Sequence, residues 1–346
     1  MRRALAVVLL IGSILLWPAS TATALPPGTK VQFYKGGLDF AIDFAWVPGT
    51  TRLFFTEKNT GRIRIMVNRN ILGTPCRDLD QYSGGEGGLL GIVLHPNFKQ
   101  NHWLYVYFTK HAPRQNRVVR FKVENNRCVN YKLIVGGLAS SADYHEGGQL
   151  EFVNGKLFVS VGENHDPANA QNTSSRLGKI LRVNPDGSIP GTNPYNNAVW
   201  AWGIRNPFGL AHHPTKDWLF ESEAGPNCDD ELNRISKGAD YGWGPSYSCG
   251  GGVGPNPRSP LWRNYPITPT DLWWYRGPMG SLAGSLYMGD FENGRLHRFR
   301  MNATGRSVKR HTIVTDRSEG IVDVTKGPRG WLYFSTPSAI YRIVPN

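Results

Sequence analysis

Residues 155–163 read GKLFVSVGE: a polar turn, a run of aromatic and β-branched residues, and a small polar exit. The phrase returns as RLFFTE from Arg52, HWLYVYF from His102, DWLFESE from Asp217, GSLYMGD from Gly284 and GWLYFST from Gly330. The six copies therefore begin 50, 53, 62, 67 and 46 residues apart. A second strand of the type [IVL]-x-R-[IVF] follows five of them, carrying Arg64, Arg120, Arg182, Arg298 and Arg342, and ELNRI at residues 231–235 takes the slot in the fourth. Short apolar strands and Gly or Pro turns precede most copies, at residues 40–46, 89–94, 209–211 and 321–324. A period near fifty with about four short strands per copy is the signature of propeller blades. The expected fold is therefore all-β: one six-bladed β-propeller over residues 25–346, with four-stranded antiparallel blades. Residues 30–34 should pair beside the last copy and close the ring, removing a free edge. The fifth blade should be shortened, because little chain separates Trp273 from Gly284.

Residues 1–24 read as a secretory signal peptide: Arg2 and Arg3, an apolar run over residues 4–16, and Ala22-Thr23-Ala24 at the cleavage site. A protein exported this way is secreted or periplasmic, with no stable membrane insertion. Its four cysteines then read as disulfides, for which three pairings exist. Cys228 and Cys249 bracket an acidic loop, which leaves Cys76 for Cys128. The 39 Lys and Arg against 26 Asp and Glu attract anions. The basic residues are scattered, however, and no nucleic-acid-binding motif accompanies them.

Four segments carry candidate chemistry and are expected at equivalent inner-strand entrances: GEGG with Glu86, YHEGG with His145, GIRNP with Arg205 and Asn206, and EAGP with Gly225 and Pro226. Asp229, Asp230 and Glu231 follow the last, and hard oxygen ligands beside a Gly-Pro turn suit calcium. Taken singly, each also reads as ordinary structure: a tight turn, a structural histidine, an ion-paired arginine, a solvated acidic turn.

As an ordered set, GEGGLLGIVLHPNF, HEGGQLEF, SVGEN, GKILRVNPDGSIPGTNPY, WGIRNPFGLAHHP and EAGPNCDDELNRISKGADYGW resemble the glucose/sorbosone dehydrogenase family, the soluble quinoprotein glucose and aldose sugar dehydrogenases. Hedgehog-interacting proteins are distant relatives of that fold. The resemblance implies a sugar dehydrogenase using pyrroloquinoline quinone (PQQ) and Ca2+, and passing electrons to an external acceptor. It implies His145 as general base, with Glu86 beside it and Arg205 against the quinone. Asn206 and Asn164 would line the pocket, and the carbonyls of Gly225 and Pro226 would hold the cofactor calcium. Asp230, Glu231 and Tyr241 resemble a neighbouring structural calcium site.

The chain departs from that pattern in the last blades. A lysine and two arginines that embrace the cofactor carboxylates in the soluble glucose dehydrogenases are replaced around Phe291-Glu292-Asn293, Gly320 and Val322, and Tyr144 stands where an acid flanks the base. A propeller that has lost its quinone and binds glycan or protein is the alternative. A calcium-dependent lactonase is the third reading, disfavoured because channel acids are not evident on the inner strands.

Overall fold

The computed structural model describes residues 25–346, and the signal peptide expected at residues 1–24 lies outside them. Six antiparallel sheets stand around an axis. Their innermost strands are Ala41–Trp46, Leu89–Leu94, Gly147–Val153, Pro207–His212, Pro269–Tyr275 and Asp323–Lys326, each packed on the next and the last on the first. Thr29–Gly36 pairs antiparallel with Ala339–Pro345, so the beginning of the described chain completes the sixth blade, as its sequence predicts. Helices are single turns at Phe98–Asn101 and Pro167–Gln171. Among the described residues none is long and apolar enough to cross a membrane.

The repeated phrase has a physical cause. In every blade an aromatic on the second strand lies directly opposite the repeat arginine on the third: Phe55 and Arg64, Tyr105 and Arg120, Phe158 and Arg182, Phe220 and Arg234, Tyr287 and Arg298, Tyr333 and Arg342. Such cross-strand pairs stabilise a ladder, and the arginine stem covers apolar surface, five of the six side chains staying half-buried and only Arg298 being buried. Several of these arginines also lie over a tryptophan face, Arg120 at 3.8 Å from Trp103 and Arg182 at 4.7 Å from Trp200.

Apolar packing is divided into six wedges, one between each pair of neighbouring blades. The axis is left to polar side chains. Both expected disulfides form, Cys76–Cys128 tying the first blade to the second and Cys228–Cys249 closing the loop after Gly225.

The fifth blade is not shortened. It holds four strands, Pro269–Tyr275, Ser285–Asp290, Arg295–Met301 and Val308–Asp316. Its innermost strand starts well before Trp273, and the connection to Ser285 is a compact turn pinned by buried Met279 and Leu282. The slender outer strands belong instead to the first blade, Asn70–Ile71, and the fourth, Trp262–Asn264.

Candidate active site

Residues 84–88, 144–146 and 203–206 lead into three consecutive innermost strands and meet at one rim of the ring. Gly225 and Pro226 reach that rim differently. They follow Leu219–Glu223, the second strand of the fourth blade, and not an innermost strand as expected. Asn164 holds the corresponding place in the third blade, after Lys156–Val161. A strand leading inward and the next one leading back share an end, so both kinds of loop face the same opening.

The Glu86 carboxylate brackets the three inner loops. It accepts from the backbone N–H of His145 at 2.7 Å and of Glu146 at 3.3 Å, and from Asn206 Nδ2 at 3.0 Å. Asn206, buried, returns a bond by accepting from Gly147 N–H at 3.2 Å. His145 has a φ of 61°, a left-handed conformation costing roughly 1–3 kcal/mol in a non-glycine residue. Glu86 helps hold it there, as does Asn164, whose N–H donates to the His145 carbonyl at 3.3 Å. Gly162 permits the close approach, since a Cβ there would strike that same carbonyl.

His145 is only 6% exposed, and its Nδ1 lies 2.8 Å from Oε1 of the fully buried Glu163. A carboxylate accepts, so Nδ1 carries the proton and Nε2 keeps a lone pair. Glu163 Oε2 has no partner among the described residues. Its backbone N–H donates to the Arg205 carbonyl at 2.9 Å, which sets the base and the arginine on either side of one residue. Sequence reasoning missed Glu163. The motif SVGEN was visible, but a lone acid at a strand exit reads as a turn residue. The Asn164 side chain accepts from Ser141 N–H at 2.7 Å and donates to Ser141 Oγ at 2.9 Å, so it fastens the preceding loop.

Arg205 lies over Trp243, 5.4 Å from the ring centroid, and donates from Nη1 to the Ala224 carbonyl at 2.8 Å. Its Nε is buried and unfilled. Burial holds its pKa below the ordinary arginine value, an effect opposed by the nearby carboxylates of Glu163, Glu223 and Glu86. Among the described residues no hydrogen bond ends on the carbonyls of Gly225 or Pro226, which leaves two free oxygens of the kind calcium takes. Asp230 accepts from the N–H groups of Gly225, Ile267 and Thr268 at 2.8, 2.5 and 2.8 Å, yet burial still raises its pKa. Glu231, pushed up to about 7 by burial, accepts from Arg263 and Asn233, each at 3.2 Å. The Tyr241 hydroxyl donates to the Arg234 carbonyl at 2.7 Å and accepts from Ser236 N–H. These three side chains are thus each bonded to different partners, and a metal beside them would use their remaining lone pairs.

A cavity of about 450 Å³ opens beside this rim; of the expected site residues Glu86 lines it, whereas His145, Asn164, Arg205, Asn206, Gly225 and Pro226 do not. Phe40, Phe208 and Phe291 give it flat apolar walls, and Gly147 and Gly148 line it without side chains. A Cβ at Gly148 would run into Leu90 and Tyr107. Phe291, Glu292 and Val322 line it where the family pattern has cations, and Asn293 is turned away onto Asp290. Arg295 and Arg317 do not line it, but Lys58 does. Lys58 is buried, its ammonium donates to the Gly85 carbonyl at 2.9 Å, and burial lowers its pKa against the pull of Glu86 and Glu146. Acids do occur on the inner strands, contrary to expectation: Asp43, Asp271 and Asp323 line the channel below. Asp43 is spent on the N–H groups of Phe44 and Ile92, and Asp271 on Gln149 and on the Asp323 carboxyl within hydrogen-bonding reach. Asp43 and Asp271 are thus engaged by protein groups, and among the described residues the three acids form no metal-ligating cluster.

The planar walls fit a flat group, and the nearby Arg205 guanidinium with the unbonded carbonyls of Gly225 and Pro226 suits an anionic group and a calcium ion at the reactive end. At the far end the fit is thinner, with Lys58 the cation and Glu292 opposing it.

The sequence profile of the Glucose / Sorbosone dehydrogenase family matches residues 38–343. The aldose sugar dehydrogenase YliI of Escherichia coli is 27% identical over 346 residues, covering 92% of each chain. The quinoprotein glucose dehydrogenase B of Acinetobacter calcoaceticus is 32% identical over 267 residues, 66% of this chain and 55% of that one. Among solved structures, the PQQ-bound aldose sugar dehydrogenase of Streptomyces coelicolor superposes with a TM-score of 0.79 at 27% identity, covering 92% of this chain and 99% of the other. A match spanning nearly the whole ring, with the ordered motifs at its rim, places this chain in the glucose/sorbosone dehydrogenase family.

Proposed function

We propose that the protein is a PQQ- and calcium-dependent aldose dehydrogenase that acts outside the cytosol, oxidising the anomeric hydroxyl of a sugar to a lactone. The observation that carries this is the His145–Glu163 pair, joined through one backbone bond to a desolvated Arg205, beside a flat-walled cavity that Gly85, Glu86 and Gly147 of the same rim loops line. Bound PQQ supplies the two-electron acceptor for the hydride that leaves the anomeric carbon. His145 takes the hydroxyl proton at Nε2, and Glu163 holds the ring and balances the imidazolium that results. Arg205, oriented by the Ala224 carbonyl, supplies positive charge toward an oxygen that gains negative charge. The carbonyls of Gly225 and Pro226 hold the cofactor calcium, and Asp230, Glu231 and Tyr241 serve a second, structural one. Glu86 and Asn206 act as positioning residues, because their polar atoms are occupied in bracketing the loops. Tyr144, 53% exposed with its ring 6.4 Å from His165, forms the rim that a sugar meets first. Electrons then pass to an external acceptor.

Absorbance titration of calcium-loaded protein with PQQ tests this reading. A saturable, redshifted spectrum that bleaches on adding aldose is expected, and His145→Ala should keep the binding and lose the bleaching. Phe291, Glu292 and Val322 at the cation positions favour one competitor, a glycan- or protein-binding propeller without cofactor. Absence of uptake at high micromolar PQQ would decide for it.

A further inference from the structure

The outer half of the fifth blade carries positive charge that no described residue neutralises. Arg298 and Arg300 share one face of Arg295–Met301, and across the ladder Arg298 pairs with Thr312 and Arg300 directly with Arg310. Like charges directly opposite destabilise an antiparallel pair. Among the described residues no hydrogen bond or ion pair engages the side chain of Arg300 or Arg310. Contrast the first blade, where the repeat arginine Arg64 meets Glu57 at 2.9 Å.

Arg298 is 8% exposed and oriented from behind, Nε donating to Ser285 Oγ at 2.9 Å and Nη2 to the Ser281 carbonyl at 2.6 Å. The three arginines, with Thr312, Ser281 and the wall of Leu25, Pro26 and Pro27, enclose a cleft of about 280 Å³ whose lining contains no carboxylate. One fixed guanidinium flanked by two free ones suits a multiply charged oxyanion, because guanidinium forks match oxyanion edges in pairs.

We propose that this cleft is an oxyanion site, taking sulfate or phosphate either as the free ion or as an ester on a saccharide. The cleft shares no residue with the rim loops, so it is independent of the dehydrogenase reading. Isothermal titration of the full chain at 150 mM NaCl with inorganic sulfate, inorganic phosphate and a sulfated disaccharide tests it. The parallel variants are Arg300→Gln/Arg310→Gln and, as a charge-matched control outside the cleft, Arg306→Gln/Lys309→Gln. Saturable one-to-one binding is expected, weakened at least tenfold in the first double variant and little changed in the control. Saturation by the inorganic ions assigns a free-ion site, and saturation by the disaccharide alone assigns an ester site. A second readout does not depend on affinity. In low-salt chloride the Arg300→Gln/Arg310→Gln variant should melt above the parent, and sulfate should close the gap. Absence of saturable binding with all three probes, or equal losses in both double variants, overturns the proposal.

Discussion

At the scale of single residues, the acid behind the base decides whether His145 presents the right nitrogen. Glu163→Gln keeps the size but can donate to Nδ1, which favours the tautomer whose Nε2 carries the proton. The expected result is a fall in kcat of roughly 10²–10⁴, with KM and the melting temperature little changed, measured by dye reduction under saturating cofactor. Glu292 tests the thin end of the cavity. Glu292→Lys replaces a repelling carboxylate with a cation, and PQQ should bind at least tenfold tighter in the absorbance titration. His145 and Arg205 were legible in the sequence because each stands inside a long ordered motif. Lys58 was not: its importance arises from a bond to Gly85 in the next blade and from burial, neither of which is written in the residues beside it.

Elements were legible where a strand is buried on both faces, and the aromatic opposite an arginine recurs in all six blades. Legibility failed where chain length was used to judge a blade. The connection after Tyr275 is short and irregular, but Met279 and Leu282 bury it, so the fifth hairpin closes without extra residues. The disulfides were readable from the loop they bracket, and they have unequal duties. Removing Cys76–Cys128 by paired serine substitution should cost about 2–4 kcal/mol, read from denaturant melts, with activity intact at low temperature. Removing Cys228–Cys249 frees the loop that carries Gly225, Pro226 and Asp230. That variant should need more calcium for half-maximal activity, measured by titrating calcium into chelator-treated enzyme.

Across the whole molecule, six peripheral wedges leave an axis lined by Asp43, Asp271 and Asp323. Burial raises all three, Asp271 to about 6, and the charge of Asp271 adds to the rise at Asp43 and Asp323. An unfolded Asp titrates near 3.9, so between about pH 4 and 6 the native state keeps protons that the unfolded chain releases. Stability from this source is therefore lost as pH rises. His213 and His311, each lowered to about 4 mainly by burial, act in the opposite direction below pH 6.5. The informative quantity is the difference between parent and Asp271→Asn: the variant should gain melting temperature relative to the parent from pH 4.5 to 7.5. The ring was readable from the sequence, but its acidic axis was not, because these residues are neighbours only after closure.

Gln32 and Arg342 touch at 2.8 Å although 310 residues separate them. A ribosome adding roughly 5–20 residues per second therefore releases the first of them about 15–60 s before its mate exists. Throughout that delay Phe33 and Tyr34 lack the strand on which they dock, and the nascent segment presents an unpaired edge of the kind that pairs with other chains.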